Sequence, residues 1–470
     1  MPYQIRRAAV IGAGTMGAAI AAVLANVGIP VDLLDVAPDR LTPEEEAQGL
    51  AVSDREVRNR IVSAGLARAK GSRPPSFVDD AAVDRVSVGN LADDFGVLAN
   101  ADWIVEVIVE QLQPKQDLMA RIEAVRKPGT IVSSNTSGIP ITSIGQGRGQ
   151  EFRQHLVGTH FFNPPRYLRL LEVIPTADTL PEVTEFISRF AEETLDKGVV
   201  RCKDTPNFVA NRLGSMWRAF DASYALEHGY TVEEVDALLG PLIGRPKTGV
   251  FRLADLVGLD VAMSVRKNLY PAIAHDETRE ILMRPSYVDL TEKMLSKNLL
   301  GLKSGGGFYK QVMRDGQREY HVLDLGTLEY RPAQPAHFAS VDSAERLENL
   351  PERLRAVYVA DDRAGRFLRA SLGHNLAYAA RRVPEIADSF AAIDDAARWG
   401  FNHELGPFEL WDAIGVERAA KDMEQAGYAV APWVNEMLAA GIPSFYQYAD
   451  GARVGVYDLE SKSYRLLRGG

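Results

Sequence analysis

"AVIGAGTMGAAIAAVLANVGIPVDLLDV", residues 9–36, decides the fold. It reads as a strand, a glycine-rich turn, a helix and a second strand that ends on an acid. Gly12, Gly14 and Gly17 form G-x-G-x-x-G. That pattern is weak alone and gains meaning from its flanks, apolar Ala8 to Ile11 before it and the small-residue helix Met16 to Asn26 behind it. Gly12 permits the tight turn, Gly14 lets a pyrophosphate approach the backbone, and Gly17 lets the helix pack close to the sheet. The helix N-terminus, with Thr15 and Met16 in its first turn, then offers unpaired N–H groups and partial positive charge to phosphates. The second strand ends at Asp35, 18 residues past Gly17. A carboxylate there hydrogen-bonds ribose hydroxyls and repels a 2′-phosphate, which favours NAD over NADP, with Arg40 close by as the one contrary charge. The rival reading is a flavodoxin-like turn that holds no dinucleotide.

The rest of the composition narrows the class. A chain of 470 residues holds two to four domains, and 46% hydrophobic with 25% charged residues is a globular composition. A net charge of −10 excludes a broad nucleic-acid face and leaves room only for a local basic patch. Cys202 is the single cysteine, so no internal disulfide forms, and no Cys/His cluster points to a metal. No membrane span is expected. The opening "MPYQIRRAAVIG" enters a strand almost at once, leaving no room for a leader and pointing to a cytoplasmic enzyme.

Along the chain, residues 43–75 read as a charged helical insertion. Its cations Arg58, Arg60, Arg68, Lys70 and Arg73 form either a solvated face or a landing site for a phosphate-bearing substrate. Strands resume with "RVSVG", "ADWIVEVIVE", "GTIVSSNTSG", "HLVGTHFFNPP" and "YLRLLEVIPT". Glu110, Lys115, Asn135, Thr136 and Ser137 follow strand ends, where ligands of open α/β sheets sit. From about 203 the pattern turns helical. Gly249, Phe251, Leu253, Asp255 and Gly258 recur as Gly406, Phe408, Leu410, Asp412 and Gly415, each 157 residues on, which marks an internal duplication. The polar, proline-containing stretch 311–360 reads as a linker. "LKSGGGFYK" neither follows a strand nor opens a helix, so it reads as a turn rather than a phosphate cradle.

His160 lies in "GTHFFNPP" and Glu172 one strand later in "LLEVI". If the two strands are neighbours, the carboxylate accepts from one imidazole nitrogen and leaves the other as a base. Oxidising an alcohol with NAD needs such a base, because the hydroxyl proton leaves as the hydride does. The alternative is a satisfied core histidine and a glutamate that pairs with a core arginine. Asn211, at the start of the next helix, is either a donor to a substrate carbonyl or a surface amide.

Together, "GAGTMG", "VEVIVEQLQPK", "SSNTSGIPI", "HFFNP", "LLEVI", "KDTPNFVANR" and "GLKSGGGFYK" resemble the 3-hydroxyacyl-CoA dehydrogenases of fatty-acid β-oxidation. The resemblance runs from residue 5 to about 310. It is closest to the dehydrogenase portion of proteins that fuse this activity to an enoyl-CoA hydratase, and no hydratase-like segment is present. It implies that His160 is the catalytic base and Glu172 its partner, with Ser137 and Asn211 positioning the 3-oxygen and thioester. Asp35 would hold the adenosine ribose, and Glu110, Lys115 and Asn135 would line the NAD groove. Arg68 or Lys70 would meet the CoA phosphates. Two positions depart from the family: a second serine is common where Gly138 stands, and glycine where Asn207 stands.

The expected fold is therefore α/β, a Rossmann-like dinucleotide-binding domain over 1–202 followed by duplicated all-α C-terminal domains. The first helical domain spans 203–310, and the second, 361–430, is non-catalytic because Arg369 stands where Asn211 does in the first. A tail, 431–470, ends the chain, where it docks a hydratase or thiolase partner or joins a further domain. The helical domain is expected to be satisfied within one chain by its repeat. Two alternative functions stand beside the acyl-CoA substrate: a dehydrogenase of a non-CoA hydroxy acid, and an NAD-binding assembly component of a multienzyme complex.

Overall fold

The computed structural model describes residues 3–314 and 316–467, which divide into one unit through Phe208 and another from Val209. In the first unit, β1 (Ala8–Ile11) is buried along its whole length, as a central parallel strand must be. It leads through the glycine turn into α1 (Thr15–Asn26) and β2 (Val31–Asp35). The expected insertion is helical: α2 (Pro43–Ala47), α3 (Arg55–Arg58) and α4 (Arg60–Lys70). Then follow α5 (Asp80–Val83), β3 (Val86–Asn90), β4 (Trp103–Glu106), α6 (Leu112–Val125), β5 (Ile131–Ser134), α7 (Ile141–Ile144) and α8 (Gln150–Gln154). The unit closes with β6 (Leu156–Phe161), β7 (Leu170–Pro175), α9 (Pro181–Glu193) and β8 (Gly198–Arg201).

These strands make one sheet in the order β3-β2-β1-β4-β5-β6-β7-β8. Every neighbouring pair is parallel except β6 and β7. The chain leaves β1 for β2 on one side and returns as β4 on the other. That reversal opens a crevice at the strands' carboxyl ends, next to the glycine turn.

The second unit begins with α10 (Ala210–Glu227), α11 (Val232–Leu238), α12 (Phe251–Val257), α13 (Leu259–Ala272) and α14 (Pro285–Ser296). An antiparallel sheet follows, of β9 (Tyr309–Arg314), β10 (Gln317–Leu323) and β11 (Tyr330–Pro332). Next come α15 (Ala339–Ala344), α16 (Leu350–Tyr358), α17 (Arg363–Arg381), α18 (Phe390–Phe401), α19 (Pro407–Ile414), α20 (Val416–Gln425) and α21 (Pro432–Ala439). A second antiparallel sheet, β12 (Tyr446–Ala449), β13 (Ala452–Asp458) and β14 (Ser463–Leu466), completes it. Among the described residues no helix is long and apolar enough to cross a membrane.

Buried carboxylates organise both halves of this unit. Asp236 accepts from the N–H groups of Val250 (2.7 Å), Phe251 (2.8 Å) and Arg252 (3.0 Å) and from Tyr309 O–H (2.9 Å). Asp394 accepts from Phe408 N–H (2.7 Å), Glu409 N–H (3.2 Å) and Tyr446 O–H (2.8 Å). Asp255 takes Phe308 N–H (2.8 Å) and Tyr309 N–H (2.7 Å), as Asp412 takes Phe445 N–H (2.8 Å) and Tyr446 N–H (3.0 Å). In each half, two acids tie a helix start and an antiparallel hairpin to one another. The halves meet through α10 and α17, where Asp221 accepts from Ser371 Oγ (2.6 Å) and Arg212 donates to Tyr378 Oη (2.7 Å).

Four expectations change. The units divide after Phe208 rather than after 202, because Phe208 packs with the sheet domain. The region 311–360 is not a linker: it carries most of β9, β10, β11, α15 and α16. Its polar residues are the exposed positions of short antiparallel strands, while Val322 and Leu323 are buried. The second unit is not all-α, since each half ends in a three-stranded sheet. The stretch 431–470 is not a bare tail either. Its Trp433, Phe445 and Tyr446 pack against Phe390 in α18, with ring centroids 5.7, 5.5 and 5.4 Å away.

Asp394→Ala leaves three buried donors without an acceptor, and the expected loss of stability is about 3 kcal/mol. Asp395→Ala removes only a partly exposed ion pair with Arg453 and costs less than about 1 kcal/mol. Urea titration followed by tryptophan fluorescence measures both; equal losses contradict the account.

Candidate active site

The glycine turn has the space a phosphate needs. Gly12 holds φ +105°, and a side chain there would run into the Val107 carbonyl. Gly17 lies directly against the Gly12 carbonyl. A Cβ on Gly14 would meet nothing within 4 Å, so the cradle in front of α1 is open. No side chain caps that helix and no acid lies in its first turn, so the N–H groups after Gly14, in Thr15 and Met16, face an anion unopposed. Asp35 reaches across the turn, its Oδ2 accepting from Ala13 N–H at 2.6 Å. The donor set and the open space before α1 fit a dinucleotide.

At the next strand end, Glu106 is fully buried. It accepts from Lys115 Nζ (2.7 Å), Ser134 Oγ (2.5 Å) and Ile108 N–H (2.7 Å). Lys115, expected along the cofactor groove, is 1% exposed and spends its ammonium on Glu106 and, at 3.4 Å, on Glu110. Breaking such a buried pair costs about 3–5 kcal/mol, so this pair fixes the 106–110 segment. Glu110 collects the neighbouring loop: its Oε1 accepts from Thr136 Oγ1 (2.6 Å), Ser137 N–H (2.9 Å) and Gly138 N–H (3.1 Å). Asn135 Oδ1 accepts from Phe161 N–H at 2.8 Å, tying the same loop to β6 beside His160.

His160 on β6 pairs directly with Glu172 on β7. Nδ1 lies 2.7 Å from Glu172 Oε2, with the carboxylate fully buried and the imidazole nearly so. Nε2 carries no hydrogen bond among the described residues. Phe162 and Phe208 pack the ring at centroid distances of 4.5 and 5.9 Å. An imidazole held in this way presents one basic nitrogen in a fixed tautomer.

The connection between β6 and β7 is pinned from both sides. Lys197 donates to Pro165 O and, at 2.9 Å, to Leu168 O. Burial pushes its ammonium down to about 8. Arg166 donates to Pro75 O and Phe77 O, both at 2.9 Å, which anchors the end of the helical insertion on this connection.

The two candidate phosphate cations do not converge. Arg68 donates to Ala13 O (3.2 Å) on the glycine turn, whereas Lys70 is exposed and pairs with Asp80 at 3.1 Å. Two residues apart on a helix, they point to opposite sides. Asn211 is the second residue of α10 in the other unit. Sequence reading passed over Glu106, Ser134, Lys197 and Asp204 as site residues; they meet partners 28, 32 or more than 60 residues away. Among the described residues no group of His, Cys, Asp and Glu is arranged to hold a metal ion.

Comparison with known proteins identifies the class. The model "3-hydroxyacyl-CoA dehydrogenase, NAD binding domain" matches residues 7–205, and "3-hydroxyacyl-CoA dehydrogenase, C-terminal domain" matches 208–311. A "Probable 3-hydroxyacyl-CoA dehydrogenase" of Bacillus subtilis is 43% identical over 468 residues, covering 100% of this chain and 58% of that protein. A "Putative fatty acid oxidation complex trifunctional enzyme" of Rickettsia felis is 32% identical, covering 87% of this chain and 53% of that one. The chain thus spans little more than half the length of these two relatives. The fold matches a crystal structure of 3-hydroxybutyryl-CoA dehydrogenase from Escherichia coli at TM-score 0.64 and 22% identity, over 93% of this chain and 99% of that one. The chain belongs to the 3-hydroxyacyl-CoA dehydrogenase family.

Gly14→Ala places a methyl in open space, so stability is expected to hold while NADH affinity falls at least about tenfold. Fluorescence titration with NADH reads this; unchanged affinity contradicts the cradle.

Proposed function

We propose that this chain oxidises (S)-3-hydroxyacyl-CoA to 3-oxoacyl-CoA with NAD, within fatty-acid β-oxidation. One observation carries the reading: the 2.7 Å contact between His160 Nδ1 and Glu172 Oε2, which leaves Nε2 as a base at the edge of the dinucleotide crevice. NAD, when bound, accepts the hydride from substrate C3. His160 Nε2 takes the hydroxyl proton, and Glu172 stabilises the imidazolium as it forms. Ser137 and Asn211 orient the 3-oxygen and the thioester. Gly12, Gly14, Gly17 and the start of α1 seat the pyrophosphate, and Asp35 reads the ribose and favours NAD. Glu110, Lys115 and Asn135 shape the groove, chiefly by holding the Ser137 loop and β6 in place. Arg68 lies on the turn and serves the dinucleotide phosphates, which leaves the CoA phosphates to Lys70 and its exposed neighbours.

The matching acid networks around Asp236 and Asp394 support a duplicated C-terminal domain. Arg369 of the second copy donates to Tyr358 O (2.6 Å) and Ala360 O (2.8 Å), which supports a structural role for that copy. The α10–α17 contact supports a first copy satisfied within the chain. The trifunctional relative supports a hydratase or thiolase as partner. A cytoplasmic setting belongs to the same reading, with the Cys202 thiol buried and donating to Val200 O.

His160→Gln and Glu172→Gln are each expected to lower kcat at least about 100-fold with NADH affinity kept. A spectrophotometric NADH assay with 3-hydroxybutyryl-CoA measures this. Near-normal turnover in either variant removes the dyad.

A further inference from the structure

The segment that ends the first unit folds back on the Ser137 loop. Asp204 accepts from Ile141 N–H (2.6 Å) and Thr142 N–H (2.8 Å), just past that loop. Phe208, four residues on, packs its ring on His160. Between these anchors lies Asn207, 8% exposed, with φ +62°. Asparagine tolerates this left-handed conformation and glycine adopts it freely.

The Asn207 side chain is oriented by its neighbour. A Cβ built on Gly138 would overlap Asn207 Oδ1, so the amide occupies the space that any side chain at 138 would need. Gly138 and Asn207 therefore share one space. The amide oxygen is set against the loop, while the amide nitrogen, Nδ2, is buried without a hydrogen-bond partner among the described residues. An unpaired buried donor costs about 1–3 kcal/mol, a cost that glycine at 207 avoids. A donor kept at that cost against Gly138, one residue before the phenylalanine that packs on His160, calls for an acceptor, and Glu110 is committed to the loop backbone. In the proposed reaction the Ser137 loop, which Gly138 continues, receives the carbonyl oxygens of the acyl-CoA.

We propose that Asn207 is a further substrate-binding residue, its Nδ2 donating to a carbonyl oxygen at the thioester end of the acyl-CoA. Gly138 is the residue that makes room for it. The proposal rests on the dehydrogenase reading, which the unmutated chain tests first: without oxidation of 3-hydroxybutyryl-CoA, that reading fails and this one with it.

With activity present, Asn207→Gly is the decisive variant, because glycine keeps the backbone conformation. Its unfolding temperature is expected to hold or rise, because the unpaired buried donor is gone, and its NADH affinity to stay as it is. Its kcat/KM for 3-hydroxybutyryl-CoA is expected to fall about tenfold, mainly through KM, the loss of one hydrogen bond. The N-acetylcysteamine thioester of 3-hydroxybutyrate, which keeps the thioester and lacks most of CoA, is expected to suffer the same loss. Asn207→Asp, which sets an acceptor where the donor stands, is expected to lose more. Gly138→Ser is expected to impair the native background and to add nothing to Asn207→Gly. Unchanged kcat/KM in Asn207→Gly, or a loss confined to the full CoA thioester, overturns the proposal.

Discussion

The antiparallel pairing of β6 with β7 is the constraint on which the site depends. Residues directly opposite in an antiparallel pair present their side chains on one face, with Cβ atoms about 4.5–5.5 Å apart. His160 and Glu172 occupy such a pair. A slip of one residue would turn Glu172 to the other face of the sheet and leave a buried carboxylate with nothing to meet. The connection between the strands therefore has to be held in register. Lys197 and Arg166 do this by donating to backbone carbonyls within it and to the insertion beside it.

A second regularity runs through both units: acids fix loops by accepting backbone N–H groups. Glu110 and Asp204 shape the Ser137 loop and the turn after it. Asp236, Asp255, Asp394 and Asp412 fasten helix starts and hairpins. In the second unit desolvation pushes Asp236 and Asp255 up to about 6 and Asp412 up to about 7 against the pull of those same N–H donors. The acids around the site thus work at one remove, as supports for loops that carry the glycines, Ser137 and the edge of β6.

What was legible in the sequence was local or periodic. The glycine turn announces itself because its three glycines, its strand and its helix are contiguous. His160 and Glu172 were readable as a pair because each lies within an apolar strand that needs no polar residue for packing. The recurrence of residues 157 apart was visible in the sequence, and in the structure Gly249 and Gly406 each press on an aspartate that accepts N–H groups of the following helix. The rest depends on distant contacts. Nothing near Glu106 shows that Ser134 and Lys115 will converge on it, and nothing near Asn207 shows that it will share its space with Gly138. The sheets after 309 escaped notice because short, two-sided polar strands lack the apolar alternation by which a strand is read.

All of the proposed chemistry needs the imidazole to carry its proton on Nδ1, facing Glu172, and to leave Nε2 bare. The direct measurement is nitrogen-15 NMR of histidine-labelled protein at neutral pH, with the His160 signals assigned by their loss in a His160 variant. The account predicts a protonated Nδ1 and an unprotonated Nε2, with that preference lost when Glu172 becomes glutamine. A wild-type imidazole protonated on Nε2 with Nδ1 bare would contradict it.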